Sequence, residues 1–332
     1  MKRPLFVFAG QSNMMGAPVF PAKEQIYYNN SSEYLHKRRR LGDKCGEFKN
    51  YGFPVGEFSY IDIKSAYGEN YTPDSISLTS NYGESTLFAP SLCNIKDEST
   101  KEMYEFAYFN EGNMRMAPAL PPFVVKGLEE KGYCCAYTHI AKGGVPISYY
   151  LDGKPYHYFA EKTRCFFEEA EQKYKDDDTT DKILVWLQGE SDRDKTIEYY
   201  KDALNKLWDK CRTLGFTKFF MIRVDYWCAD DSFKVMRAQE EFCNECSDAY
   251  MITRAASFIP WSDKKDSDLF IKELDEEFLF TRDAFYGYGN GHINEKGFKT
   301  IAKYAVPNII RVLFEDEDPI LEEELVKELV KF

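Results

Sequence analysis

The 332-residue chain lacks any apolar run approaching the ~20 residues needed to cross a bilayer, which excludes a helical membrane span. It is also short of positive charge. With 43 Lys and Arg against 55 Asp and Glu, the net charge is −12, which opposes binding to polyanions such as nucleic acid and to anionic membrane surfaces. The one basic run, Lys37 to Arg40, is too short to reverse that balance. Cysteine lacks a framework pattern: the 9 residues are odd in number and follow no repeating spacing, so disulfide scaffolding is not expected and a reducing compartment fits. No glycine-rich phosphate loop is present, and no redox cofactor is implied. The apolar run Pro4 to Ala9 is too short for a signal h-region and is followed by no convincing cleavage site, so the chain reads as cytoplasmic.

What is present is a globular composition, 44% hydrophobic and 30% charged, with enough length to bury a substantial core. Aromatic residues make up 16%, with 26 Phe and 24 Tyr; these either fill a Tyr-rich core or line grooves for flat ligands such as sugars. Short apolar runs at Leu5 to Ala9, Tyr133 to Ile140, Lys182 to Leu187, Lys218 to Val224 and Ala249 to Thr253 read as strands buried on both faces. Between them lie helical patterns. Ile197, Tyr200, Leu204, Leu207, Cys211 and Leu214 trace one face of a helix ending at Gly215, and Phe159, Phe166, Ala170 and Tyr174 trace another. Residues 295–314 form a third, with an interruption expected at Pro307. Strand and helix therefore alternate, the pattern of a three-layer α/β/α sandwich with a mostly parallel sheet. Two stretches, 18–113 and 254–291, break the alternation and read as long loop insertions of functional character. Residues 315–332 begin acidic and carry Leu321, Leu325, Leu329 and Val330, a pattern that predicts a C-terminal amphipathic helix.

Four motifs carry candidate chemistry. Gly10-Gln11-Ser12-Asn13-Met14 places a serine just after the first strand, where open α/β sheets bind ligands. Ala141-Lys142-Gly143-Gly144-Val145-Pro146 follows the second strand, and its paired glycines let backbone N–H groups approach a ligand closely. Gln188-Gly189-Glu190-Ser191-Asp192 puts an amide and two carboxylates at the end of the third. Gly289-Asn290-Gly291-His292-Ile293-Asn294 precedes the last main helix, for which Asn294 and Glu295 supply a start signal. Each of the first two alone would be an ordinary turn. Of the four histidines, His36, His139 and His157 read as structural or solvated, and His292 is the exception. Cys243-x-x-Cys246 has no second pair at zinc spacing and reads as core thiols. Asp263, Asp266 and Asp268 match no calcium loop, so no metal site is expected.

Taken together, Gly-Gln-Ser-Asn-Met, Gly-Gly-Val-Pro-Ile, Gln-Gly-Glu-Ser-Asp and the late His resemble the SGNH hydrolase superfamily. Within it, the chain resembles the sialic-acid-specific acetylesterase and acetyl xylan esterase group, carbohydrate esterase family six; Arg237-Ala238-Gln239 is similar to a further family element. The resemblance covers roughly residues 4–16 and 117–312. It implies a flavodoxin-like sheet and a serine esterase that removes O-acetyl groups from carbohydrates. Ser12 would then be the nucleophile and His292 the general base, with the Ser12 and Gly144 backbone N–H groups and the Gln188 side-chain amide forming the oxyanion hole. The superfamily commonly has an Asp three residues before its His, and here that position is Gly289. Glu190 is the first choice for the missing acid, with Asp192 and Asp283 as alternatives.

A serine hydroxyl needs an imidazole to take its proton, the imidazole needs an acceptor for its other N–H, and the oxyanion needs fixed donors. Since Ser12 and His292 must meet from opposite ends of the sequence, residues 1–314 are expected to form one domain with insertions. The expected partner is an acetylated carbohydrate such as a xylo-oligosaccharide or a sialic acid. A lipase or thioesterase of the same superfamily and a catalytically silent glycan-binding protein are the competing readings.

Overall fold

The structure is a computed structural model that describes residues 1–15, 120–141, 144–224, 232–258, 293, 295–324 and 326–331. The insertion at 18–113, residues 259–291 of the second insertion, Asp283 and His292 lie outside the described residues. Five expected strands form: β1 (Leu5–Gly10), β2 (Ala136–Ala141), β3 (Lys182–Leu187), β4 (Lys218–Ile222) and β5 (Ala249–Thr253). All pair in parallel in the order β2-β1-β3-β4-β5. The order reverses between β2 and β3, so β1 sits at the point where a doubly wound sheet opens a crevice beyond its carboxyl ends.

Seven α-helices are described: α1 (Ser12–Met15), α2 (Leu120–Glu130), α3 (Gly153–Lys173), α4 (Ile197–Thr213), α5 (Ser232–Glu245), α6 (Ala255–Phe258) and α7 (Glu295–Ile310). They cover both faces of the sheet. Successive strand side chains point to opposite sides, so Leu5, Val7, Leu184, Trp186 and Phe219 pack with α3, α4 and α5. Phe6, Phe8, Ile183, Val185 and Phe220 pack with α2 and α7. The strands are apolar throughout because neither face meets water. In α4 the buried stripe is Tyr200, Ala203, Leu204, Leu207, Trp208 and Cys211, and the Thr196 hydroxyl caps the start by accepting from Tyr199 N–H at 3.2 Å.

Two expectations fail. The interruption at Pro307 does not occur: α7 runs through it to Ile310 and continues as a π-helical turn, Arg311–Glu315. Pro307 lies on the exposed side, while Ile301, Ala305 and Ile309 hold the other side to the sheet. The expected C-terminal amphipathic helix does not form among the described residues. Residues 316–324 are without helix and 327–331 form turns, although Leu329 is buried as its apolar character requires. No helix among the described residues is long and apolar enough to cross a membrane.

An ionic cluster explains why the terminal segment extends. Arg223, just beyond β4, is 0% exposed. It donates to Glu240 Oε1 at 3.0 Å, to Ser257 Oγ at 2.8 Å and to both carboxylate oxygens of Glu324. Arg254, just beyond β5, grips Glu240 at 2.8 and 3.0 Å, and its backbone N–H donates to Glu322 Oε2 at 2.9 Å. The Thr253 hydroxyl donates to the other oxygen of Glu322. A helix over 315–332 could not hand both glutamates to the sheet edge at once. Burial alone would raise the Glu240 carboxyl, but the hydrogen bonds and charges of Arg254 and Arg223 outweigh it and hold the group below its ordinary 4.5.

Removing Arg223 leaves buried carboxylate charge uncompensated, so Arg223→Ala should cost about 3–5 kcal/mol in urea unfolding. Because the folded Glu240 value lies below the unfolded one, its stabilisation is present above about pH 4.5 and is lost as pH falls through the folded value. Glu240→Gln should therefore lower the melting temperature at neutral pH and flatten its decline with acid, as read by thermal melts from pH 7 to 3.

Candidate active site

The site begins with how closely two strands approach. Gly10 ends β1 in register with Leu187 at the end of β3, and Gln11 N–H donates to Leu187 O at 3.2 Å. A Cβ on Gly10 would fall 1.9 Å from Leu187 O, and the residue holds φ +151°. Only glycine fits there. The Tyr150 hydroxyl donates to Gly10 O at 2.5 Å, tying the segment after β2 to the same point.

Ser12 opens α1 immediately past this contact and is 7% exposed. Beside it, the Asn13 amide donates from Nδ2 to Glu190 Oε1 at 2.8 Å, while Asn13 Oδ1 accepts the Ile293 N–H at 3.1 Å. One buried side chain thus joins the serine turn, the Glu190 carboxylate and the residue next to His292, although Asn13 and Ile293 are 280 positions apart. Three of the four motifs meet here.

The second motif, which follows β2, is held through Gln188. Its amide Nε2 lies 2.6 Å from Asp192 Oδ2, 3.1 Å from Val145 O and 3.2 Å from Gln11 Oε1, and the side chain is 0% exposed. Two N–H groups already serve three internal acceptors. The Gln188 amide, expected in an oxyanion hole, is turned to these acceptors and braces the loops. Its Oε1 lies 2.7 Å from the Tyr200 hydroxyl, which also lies 2.9 Å from Gln188 O. Gln239 Nε2 donates to Gln188 O at 2.8 Å and Gln239 Oε1 accepts the Val224 N–H at 2.9 Å, so the Arg237-Ala238-Gln239 element braces the loop beyond β3. Gly144 is exposed at φ +72°, with its neighbour Val145 anchored by Gln188.

The two candidate carboxylates on the third motif face different ways. Glu190 turns to Asn13 and so toward residue 293. Asp192 turns to the loop after β2, where its Oδ2 accepts the Ile147 N–H at 2.7 Å as well as the Gln188 amide. Burial raises the Asp192 carboxyl above its ordinary value, against the lowering effect of those two donors. Burial likewise pushes the Tyr200 hydroxyl well up, with the Asp192 charge adding to it.

Sequence reasoning missed Gln11, Asn13, Tyr150 and Tyr200 as site residues. Gln11 and Asn13 flank the serine inside the quoted motif and carried a signal; the two tyrosines are indistinguishable in sequence from core aromatics. Among the described residues, no three His, Cys, Asp or Glu side chains cluster in a way that could hold a metal ion. His157 lies within the first turns of α3.

No family model and no curated protein matches the chain. Among solved structures, a protein from Arabidopsis thaliana, determined by X-ray crystallography at 1.6 Å resolution, is similar over 93% of this chain and 99% of its own, at 14% identity and a TM-score of 0.49.

The close approach at Gly10 gives a direct prediction. Gly10→Ala must both separate β1 from β3 and hold an unfavourable φ, so it should cost about 3 kcal/mol or more in chemical denaturation. A stability loss below about 1 kcal/mol, near the scale of an ordinary surface substitution, would contradict the contact.

Proposed function

We propose that the protein is a serine esterase of the SGNH hydrolase kind that removes O-acetyl groups from carbohydrates. The observation that carries this reading is the Asn13 bridge, which joins the turn of Ser12, the Glu190 carboxylate and the backbone beside His292. A solvated turn would not need a buried carboxylate tied to a segment nearly the whole chain away. The strand order, flavodoxin-like in its reversal at β1, favours the same reading, because the crevice at the carboxyl ends is where such sheets bind ligands.

In this mechanism Ser12 Oγ attacks the acetyl carbonyl carbon while His292 takes the hydroxyl proton. The negative oxygen that forms is met by the backbone N–H groups of Ser12 and Gly144. When the tetrahedral intermediate collapses, the C–O bond to the sugar breaks and His292 returns its proton to the departing sugar oxygen. Water then attacks the acetyl-enzyme, with His292 again accepting a proton, and acetate leaves as Ser12 regains its hydrogen. Glu190 accepts the second imidazole N–H and holds the ring in the tautomer that can act as base. Gln188 contributes by bracing Val145 and Gln11 rather than by touching the oxyanion.

Activity on p-nitrophenyl acetate, by release of the phenolate, tests this reading. Ser12→Ala should abolish turnover with the fold intact, since a hydroxyl at the rim adds little to stability. Glu190→Gln should lose at least about 10²-fold in kcat, whereas Asp283→Asn should lose less. Near-wild-type rates from Ser12→Ala would end the esterase reading.

Chain-length preference forms a second test. Acetyl esters should turn over far faster than octanoyl esters, because a deacetylase needs room only for a methyl group beside the oxyanion. A series that rises toward long chains would move the protein to the lipase or thioesterase class, and chelator should leave the acetyl rate unchanged.

A further inference from the structure

We propose that Asp192 is a positioning residue that pins the segment carrying Gly144, an inference that rests on the esterase reading for its catalytic consequence. The pin is a single atom. Asp192 Oδ2 accepts the Ile147 backbone N–H at 2.7 Å and the Gln188 amide at 2.6 Å, so it joins the loop after β2 to the loop after β3. The carboxylate is itself held by the 3-10 turn Glu190–Asp192: Asp192 N–H donates to Gly189 O at 3.0 Å, and Lys195 N–H donates to Asp192 O at 2.9 Å.

The neighbouring contacts show why this bond has leverage. Gly144 is exposed, left-handed at φ +72°, and has nothing within 4 Å of where a Cβ would stand, so no packing at that position steadies it. What does fix it lies one to three residues on. Val145 O accepts from the Gln188 amide at 3.1 Å and the Ile147 N–H donates to Asp192, so two bonds from the loop after β3 anchor the chain leaving Gly144. Both pass through the Gln188–Asp192 pair. The other oxygen, Asp192 Oδ1, has no hydrogen-bond partner among the described residues although the side chain is 0% exposed. Burying a carboxylate with one oxygen unbonded is unfavourable, and the two short bonds at Oδ2 are what the arrangement gains in return. These contacts also separate Asp192 from Glu190, whose carboxylate faces Asn13.

A pin of this kind acts on the transition state and leaves ground-state binding alone, because the Gly144 N–H matters only when charge reaches the oxygen. In Asp192→Asn the amide oxygen can take the place of Oδ2 and accept both N–H groups, whereas Asp192→Ala removes the acceptor. With p-nitrophenyl acetate, Asp192→Ala should lower kcat about 100-fold with KM changed by less than about threefold, and Asp192→Asn should stay within about tenfold of wild type. Hydrogen–deuterium exchange, read by mass spectrometry over residues 144–150, should be slow in the wild type and in Asp192→Asn and faster in Asp192→Ala.

The proposal is overturned if folded Asp192→Ala keeps its kcat, if Asp192→Asn is no better than Asp192→Ala, or if exchange over 144–150 is the same in all three proteins. Should Asp192→Ala fail to fold, the wild type and Asp192→Asn decide: an unprotected 144–150 segment in the wild type, or protection lost in Asp192→Asn, refutes the pin. Absence of esterase activity in the wild type would instead refute the esterase reading, and the exchange measurement would still decide whether Asp192 holds the segment.

Discussion

Everything at the rim depends on how closely β1 and β3 run at their carboxyl ends. Because Gly10 has no side chain, Gln11 can bond Leu187 O, and the first side chains beyond both strands meet at one level. Two glutamines occupy those places and touch each other: Gln188 Nε2 lies 3.2 Å from Gln11 Oε1, which also accepts the Ser191 N–H at 3.0 Å. From that shared level the chain needs one residue to reach Ser12 and two to reach Glu190. A wider gap would move the serine and the carboxylate apart by the same amount, and no later loop adjustment could restore both.

Two ways of burying a carboxylate occur along the same sheet rim. Glu240 is surrounded by guanidinium groups, which hold its carboxyl low and make it a fixed negative charge. Asp192 is met by a backbone N–H and a neutral amide, and its carboxyl rises because burial outweighs them. Structural ion pairing explains the first. In the second, the described donors to the carboxylate are uncharged.

Much of this was legible beforehand because both faces of the sheet are dry. Strands such as Lys182–Leu187 announce themselves by uninterrupted apolar character, and α4 by its spacing, since burial acts through residue type at a fixed period. The expected meeting of Ser12 with His292 lies outside the described residues; the bond seen between those two parts of the chain is that of Ile293 to Asn13. What sequence could not supply was direction. Glu190 and Asp192 are two residues apart and chemically alike, yet a 3-10 turn points one at Asn13 and the other at Ile147. The same limit hid the Gln188 amide's inward orientation, which depends on partners from three different loops. The C-terminal segment misled for a related reason: its leucines have helical spacing, but Glu322 and Glu324 form bonds to Arg254 and Arg223 that outweigh a weak local preference.

The clasp on Arg223 has a consequence for the order in which the molecule is made. Its partner Glu324 lies 101 positions later in the chain. At ~5–20 residues per second, the ribosome needs about 5–20 s to supply that glutamate after Arg223 has emerged. Throughout that interval the arginine carries a charge that has not yet met its full set of acceptors, so the adjoining ends of β4 and β5 stay solvated while β1 to β3 can already consolidate against α3 and α4. Vectorial synthesis therefore makes this corner of the sheet one of the last parts to gain its full set of partners, along with the face that waits for α7.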